Sequence, residues 1–217
     1  MPDAFGLYLV LTEPVAGYER TAAAAVETGV KYLQLRMKKR PPEEVLEMAL
    51  RLRRITAGSL TRFIVNDDVE IAREANADGV HLGQDDLGIV EARRRWSASG
   101  KIFGLSTHNE AQELHARELA PDYIGVGPVF PTPTKERPDA TLGTERMGRI
   151  LRNSPLTAVA IGGIDADNLA EVLRQGAANF CVVRAVNREA DPVAAIRRLQ
   201  EIWSRVVLRH LHGVVEG

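Results

Sequence analysis

Two acidic clusters in the sequence have the residue types of a divalent-cation site. Asp67-Asp68 and Asp85-Asp86 each lie shortly after a short apolar run. Carboxylates that converge on one point repel each other, and Mg²⁺, which prefers oxygen ligands and retains waters and substrate phosphates, relieves that repulsion. Capping of a following helix explains one carboxylate in each loop. We therefore expect one Asp of each pair to cap a helix and the other to face a metal site.

A second set of residues could bind an anion. Gln34, Arg36 and Lys38 alternate along an extended segment, so they share one side of it. Two glycines at 162–163 are followed, at the next apolar run, by Arg184. Glycines let backbone N–H groups approach a phosphate closely, and an arginine binds one with paired hydrogen bonds. Taken alone, the first of these clusters is more often a basic loop in solvent.

The segment 127–138 is rich in proline and carries two threonines and two cations. Its stiffness and charge suit a lid over an anionic ligand, and the alternative is an ordinary surface loop. Ser106 and His108 stand two residues apart at the end of an apolar run, with no acidic partner evident. A serine–histidine nucleophile is therefore disfavoured.

These residues follow eight short apolar runs, which have the character of parallel strands buried on both faces. The runs are 7–11, 32–35, 63–65, 79–82, 102–105, 123–126, 158–161 and 180–183. Helices between them begin at signals such as Pro42, Asn109 and Asp191, and end near Gly29 and Gly176. Eight strand–helix units predict a (β/α)₈ barrel, and an open doubly wound sheet fits less well.

Length and composition agree with one domain. The chain has 217 residues, of which 45% are hydrophobic, and its net charge is −1. We expect the barrel to span about residues 7–204, with a tail at about 205–217. The near-neutral charge argues against nucleic acid or a membrane surface as partner. The single Cys181 and the absence of a visible targeting segment predict a cytoplasmic protein.

Five motifs occur in order along the chain, between about Tyr8 and Trp203. They are Gln34-Leu35-Arg36-Met37-Lys38, Asn66-Asp67-Asp68, Gly79-Val80-His81-Leu82-Gly83-Gln84-Asp85-Asp86, Gly125-Val126-Gly127-Pro128-Val129-Phe130-Pro131-Thr132-Pro133-Thr134-Lys135 and Ile161-Gly162-Gly163-Ile164. Each motif alone is unspecific, but the ordered set closely resembles the thiamine-phosphate synthase family. The resemblance implies an enzyme that joins 4-amino-2-methyl-5-(diphosphooxymethyl)pyrimidine to 4-methyl-5-(2-phosphoethyl)thiazole, or its carboxylated form, by a dissociative mechanism that releases pyrophosphate.

The resemblance also implies roles for particular residues. Contacts to the pyrimidine diphosphate are expected from Gln34, Arg36, Lys38, Asn66, Ser106 and Lys135, with Arg36, Lys38, Ser106 and Lys135 taking part in catalysis. Mg²⁺ is the expected cofactor, held by Asp67 and Asp86. Contacts to the thiazole phosphate are expected from Thr132, Thr134, Gly163, Val183 and Arg184.

Two alternatives stay open beside this interpretation. The related TenI-type thiazole tautomerases have a catalytic histidine where Pro128 stands, and they lack the paired acidic motifs. The other alternative is a non-catalytic, regulatory barrel that binds thiazole phosphate or thiamine phosphate. The synthase family often has a small hydroxyl residue at the position of Arg184, which is a departure of this chain. The expected partners are small-molecule substrates and, in a homodimer, a second copy of the chain.

Overall fold

Strands and helices alternate along the chain in the computed structural model, which describes residues 4–132 and 139–211. The strands are β1 (Gly6–Leu11), β2 (Tyr32–Leu35), β3 (Arg62–Asn66), β4 (Gly79–Leu82), β5 (Ile102–Thr107), β6 (Tyr123–Val126), β7 (Ala158–Ile161) and β8 (Asn179–Val182). The helices are α1 (Tyr18–Glu27), α2 (Pro42–Thr56), α3 (Val69–Glu74), α4 (Ile89–Arg95), α5 (Glu110–Leu119), α6 (Gly143–Asn153), α7 (Leu169–Arg174), α8 (Arg184–Asn187) and α9 (Pro192–Leu211).

The eight strands form a closed parallel barrel in chain order. Each strand pairs with the next, and β8 closes the barrel against β1, with Gly6 opposite Asn179 and Leu9 opposite Val182. This arrangement confirms the predicted single (β/α)₈ barrel and excludes the open sheet. The predicted apolar runs coincide with the strands to within two residues at either end.

Alternation along the strands divides the core into two layers. Aliphatic residues on one face of each strand pack against the helices, as Leu9 and Val65 do. The other face points into the barrel, where the buried residues are Tyr8, Val10, Ile64, Tyr123, Val159 and Cys181. The barrel interior therefore contains phenol groups among aliphatic side chains, and such groups need hydrogen-bond partners.

At the amino-terminal end of the barrel, polar side chains join neighbouring strands. Asp122, just before β6, accepts from the Phe103 N–H on β5 at 2.7 Å. Asn179 accepts from the Gly6 N–H at 3.1 Å and so joins β8 to β1. Asp78 makes the equivalent bond between β4 and β3. These bonds satisfy backbone donors that the strand ladders leave unpaired.

The helix boundaries follow the local signals in the sequence. Pro42 is the first residue of α2, and Asn109 caps α5 by accepting from the Gln112 N–H at 2.9 Å. Gly29 and Gly176 have φ values of 71° and 101° just past the ends of α1 and α7. A left-handed residue at this position satisfies the last carbonyls of a helix, and glycine adopts it without a steric cost.

The last helix extends farther than expected. Helix α9 continues to Leu211, past the predicted start of a tail at residue 205, and residues 212–217 lie outside the described residues. Asp191 accepts from the Ala194 N–H at 3.1 Å at the start of this helix. Within the described ranges, none of the helices combines the length and the apolarity that a membrane crossing requires.

Candidate active site

A cavity of about 330 Å³ opens at the carboxyl ends of the barrel strands, where (β/α)₈ barrels carry their active sites. Its walls include Gln34, Arg36, Asn66, Ser106, Thr132, Gly163, Val183 and Arg184, all predicted from the sequence. Lys38, Asp67 and Asp86 form a cluster that adjoins this cavity, because Asp67 follows directly on the last residue of β3. Thr134 and Lys135 lie outside the described residues.

Asp67 and Asp86 form a pair of carboxyl groups that share a hydrogen bond. Lys38 makes an ion pair with Asp67, and Asp86 also accepts from the Gly83 N–H at 2.7 Å. Burial, together with the neighbouring carboxylate, raises the pKa of Asp67 to about 6. Burial acts to raise the pKa of Asp86 too, but the hydrogen bonds from Asp67 and Gly83 hold it below its ordinary value. The two carboxyl groups are thus crowded together, and Lys38 lies close enough to stabilise the charge on both.

The two acidic loops differ in how they use their second carboxylate. Asp68 caps α3 as one Asp of the pair was expected to do, accepting from a first-turn N–H at 2.9 Å, and Asp67 instead makes an ion pair with Lys38. In the other loop the expected cap is wrong, because Gly88 precedes α4 and no side chain caps that helix. Asp86 instead closes its own turn, and Asp85 is exposed.

Arg36 places a guanidinium group in the wall of the cavity. Burial lowers the pKa of this group, and the nearby Asp67 carboxylate partly opposes that effect. Arginine nevertheless stays charged in proteins. A partly desolvated guanidinium attracts anions more strongly than one in water does.

On the side of β7 and β8, a glycine pair allows two loops to approach each other. Gly162 and Gly163 have φ values of 102° and 69°. A Cβ on Gly162 would lie 2.5 Å from the Pro128 Cα, and one on Gly163 would lie 2.7 Å from the Phe130 Cβ. The loop after β7 therefore packs against the loop after β6, and Arg184 lines the cavity beside them as the first residue of α8.

Buried polar side chains form a chain of hydrogen bonds below the cavity, which we call the interior relay. Gln34 donates from Nε2 to the Tyr8 hydroxyl at 2.8 Å, and the hydroxyls of Tyr8 and Tyr123 lie 2.7 Å apart. The Tyr123 hydroxyl lies 3.0 Å from Nδ1 of His81. Nε2 of His81 lies 2.9 Å from the Ser106 Oγ. The relay therefore spans five strands and reaches the cavity at Ser106.

Sequence reasoning missed three members of the interior relay. Tyr8 and Tyr123 enter the sequence analysis only as residues of the apolar runs, and His81 is assigned no role there. Burial raises the pKa of both tyrosines, so both stay protonated. The available signal was their register, because strand alternation places the Tyr8 side chain with that of Val10 inside the barrel.

His108 is engaged away from Ser106. Its Nδ1 lies 2.6 Å from the Gly127 carbonyl oxygen, and its Nε2 lies 3.3 Å from Asp139. The imidazole thus contacts both flanks of the segment 127–139, of which residues 133–138 lie outside the described residues. The structure agrees with the sequence argument against a Ser106–His108 nucleophile.

Comparisons with known proteins agree with the geometry of this site. The model of the family described as thiamine monophosphate synthase matches residues 7–186. A thiamine-phosphate synthase of Pelotomaculum thermopropionicum is 42% identical over 183 residues, which cover 84% of each chain. One of Chloroflexus aurantiacus is 40% identical over 181 residues, or 83% of each chain.

Solved structures include one of close similarity. Thiamine phosphate pyrophosphorylase from Pyrococcus furiosus superposes with a TM-score of 0.84 at 32% identity, covering 94% of this chain and 98% of the other. A 3-hexulose-6-phosphate synthase, at 16% identity and a TM-score of 0.63, shares the fold alone. The family match over most of the length and the two curated relatives at about 40% identity lead to one assignment: the chain belongs to the thiamine monophosphate synthase family.

Proposed function

We propose that this protein is a thiamine-phosphate synthase that joins a hydroxymethylpyrimidine diphosphate to a thiazole phosphate and releases pyrophosphate. One observation carries the proposal: a single cavity has an anion-binding group on each of two sides. Arg36 and the Lys38 cluster stand by β2–β4, while Gly163 and Arg184 stand by β7 and β8. Two phosphorylated substrates can then meet with their reacting atoms between these sides.

The proposed reaction needs no covalent bond between the protein and either substrate. The bond between the pyrimidine methylene carbon and the diphosphate oxygen breaks, and the electron pair leaves with pyrophosphate. The thiazole nitrogen then donates its lone pair to that carbon, so no proton is removed from either substrate. The protein has to stabilise the departing charge and exclude water. Arg36 and Lys38 are suited to the first task.

Asp67 and Asp86 are the residues that would hold Mg²⁺. Their fit rests on their proximity, because two partly buried carboxylates this close repel each other and a cation between them relieves that repulsion. Among the described residues, no cluster of three or more His, Cys, Asp or Glu side chains is placed to bind a metal. Water and phosphate oxygens would complete the ligand set, as Mg²⁺ prefers. When bound, Mg²⁺ supplies neutralisation of the charge on the diphosphate.

The remaining roles follow the family resemblance and the position of each side chain at the cavity. The residues proposed to orient the pyrimidine are Gln34, Asn66 and Ser106. Those proposed to bind the thiazole phosphate are Thr132, Thr134, Gly163, Val183 and Arg184, and Lys135 is proposed to act on the diphosphate. A homodimer in the cytoplasm stays a prediction from the sequence.

The test is formation of thiamine phosphate from both substrates with Mg²⁺, measured after oxidation to fluorescent thiochrome. We expect the product to depend on Mg²⁺ and to fall by at least about 100-fold in Asp86→Asn. Asp85→Asn is the matched control, because it changes the adjacent exposed carboxylate and should keep full activity. No Mg²⁺-dependent product from the wild type at saturating substrate would refute the proposal.

The same preparations separate the two alternatives. A tautomerase would isomerise a thiazole carboxylate phosphate without any pyrimidine diphosphate present. Pro128 in the cavity wall offers no proton-transferring group for that reaction. A non-catalytic barrel would bind thiamine phosphate in calorimetry and form none.

A further inference from the structure

We propose that His81 and Tyr123 are positioning residues, which hold the Ser106 hydroxyl with its hydrogen directed into the cavity. The inference deepens the proposed function, on which its kinetic readout rests. The two residues act through Ser106 and need not touch substrate themselves.

The direction of the relay follows from counting hydrogens. Gln34 donates from its amide nitrogen, so the Tyr8 oxygen accepts. Within the described residues, the Tyr123 oxygen is the one acceptor in reach of the buried Tyr8 hydroxyl, so Tyr8 gives its single hydrogen to Tyr123, and Tyr123 gives its own to Nδ1 of His81. An imidazole that accepts at Nδ1 carries its hydrogen on Nε2 and donates it to the Ser106 Oγ. The Ser106 hydrogen is left to point elsewhere, and the cavity lies beside it.

Packing holds this arrangement in place. A Cβ on Gly104 would lie 2.2 Å from the Tyr123 Cζ and 2.7 Å from Nδ1 of His81. Glycine at this position is therefore what allows the phenol and the imidazole to meet. Tyr8 and Tyr123 are both 2% exposed, so an unpaired hydroxyl in this layer would be costly, and the relay resists rearrangement.

Both ends of the interior relay are accessible from the cavity. In the described part of the chain, every fully enclosed side-chain nitrogen or oxygen has a hydrogen-bond partner. The Gln34 amide oxygen makes no hydrogen bond to the described residues, so it must be reachable from the cavity that Gln34 lines. One end of the relay thus presents an acceptor and the other, at Ser106, presents a donor. A substrate atom facing Ser106 must then be an acceptor, such as a ring nitrogen or a diphosphate oxygen.

The partner of Nδ1 also distinguishes His81 from a general base for Ser106. A catalytic imidazole that takes a proton from serine is usually oriented by a carboxylate that stabilises the resulting cation. Nδ1 of His81 faces a phenol hydroxyl instead. An imidazole that donates from Nε2 orients the serine without deprotonating it.

The kinetic test is a double-mutant cycle with Tyr123→Phe and Ser106→Ala. Without the phenol hydrogen, Nδ1 of His81 no longer accepts a hydrogen bond. The ring can then carry its hydrogen on Nδ1, and Nε2 can accept from the Ser106 hydroxyl. We expect Tyr123→Phe to lower kcat about 10-fold with an unchanged KM, and to have less than about a 2-fold effect once Ser106 is alanine. Thr107→Val, which removes a buried hydroxyl bonded to the Gly125 carbonyl, is the control and should keep the wild-type kcat.

A pair of variants at His81 distinguishes a positioning role from a simple folding defect. His81→Gln retains an amide donor near the position of Nε2, while His81→Leu retains none. We expect the glutamine variant to recover part of the kcat that the leucine variant loses, with similar melting temperatures. Equal losses in both variants, or full additivity in the cycle, would overturn the positioning role.

A measurement independent of activity separates this inference from the proposed function. The ¹⁵N chemical shifts of the His81 ring nitrogens, assigned by their absence in His81→Gln, report its tautomer in the free wild type. We expect hydrogen on Nε2, and a shift toward the Nδ1–H form in Tyr123→Phe. Hydrogen on Nδ1 in the wild type would overturn the inference. A wild type with the Nε2–H tautomer and no synthase activity would instead refute the proposed function alone.

Discussion

Replacing Asp67 by asparagine and by alanine separates its electrostatic role from its backbone role. Asp67 has a φ of 64°, in the left-handed region. Asparagine and aspartate tolerate this conformation because their short polar side chains bond locally, whereas alanine does not. Both substitutions remove the carboxylate that pairs with Lys38 and Asp86. We therefore expect both to lose activity by at least about 100-fold, but to differ in stability.

The difference in stability can be worked from the backbone. A left-handed conformation costs an alanine roughly 1 kcal/mol more than an asparagine. For a chain of this length, 1 kcal/mol corresponds to about 2–4 °C in Tm. Asp67→Asn should therefore melt about 2–4 °C above Asp67→Ala. At pH 8 without Mg²⁺, Asp67→Asn should also melt at a higher temperature than the wild type, because the substitution removes one of two crowded charges.

The pH dependence gives the sign of the charge effect. Burial and Asp86 raise the pKa of Asp67 to about 6 in the folded protein, so the folded state binds this proton more tightly than the unfolded state does. The resulting stability is present at low pH and is lost as the pH rises through 6. As the pH falls from 8 to 4, the free energy of unfolding of the wild type should therefore approach that of Asp67→Asn.

The assay is thermal unfolding by circular dichroism in EDTA and in excess Mg²⁺, alongside thiochrome kinetics. Mg²⁺ should raise the Tm of the wild type and leave both variants unchanged, because a ligand stabilises only the state that binds it. Asp67→Ala melting at or above Asp67→Asn would refute the backbone argument. A wild type that melts above Asp67→Asn at pH 8 in EDTA would refute the argument from crowded charges.

Three further substitutions test other parts of the structure. Lys38→Ala should lower kcat about 100-fold with little change in Tm, since an exposed ion pair contributes little to stability; a large loss of Tm would mean that Lys38 is structural. Asp68→Ala removes the bond to the Ile71 N–H at the start of α3 and should cost about 1 kcal/mol in urea unfolding with turnover retained, whereas lost turnover would move Asp68 into the site. Asp122→Ala leaves the Phe103 N–H without its acceptor and should cost about 1–3 kcal/mol with normal kinetics; unchanged urea unfolding would contradict that account.

The sequence predicted the fold well because the barrel depends on patterns that are local. Apolar runs such as 79–82 and 123–126 coincide with strands, since a strand buried on both faces has to be apolar throughout. The helix starts at Pro42 and Asn109 were predicted correctly because the signals that begin a helix are also local. The end of α9 was misplaced, because no glycine or proline stops the helix near Arg205 and its periodicity continues.

The site was harder to predict where it depends on contacts between distant residues. The residues next to Asp86 in the sequence do not indicate that its carboxylate accepts from the Gly83 N–H and interacts with Asp67 instead of capping α4. The interior relay joins residues as far apart as Tyr8 and Tyr123, and their partnership depends on barrel closure. An inward-facing tyrosine on an apolar strand is thus a useful signal of a buried polar network.

The bond from Asn179 to the backbone at Gly6 has a consequence for how the chain is synthesised. The two residues lie 173 positions apart, and β1 has no partner on its β8 side until that last strand has left the ribosome. A nascent chain that carries β1–β4 therefore exposes two open strand edges, which are templates for misassociation. Barrel closure comes late in translation, and we expect chaperone binding to nascent chains to fall sharply once residue 182 has emerged.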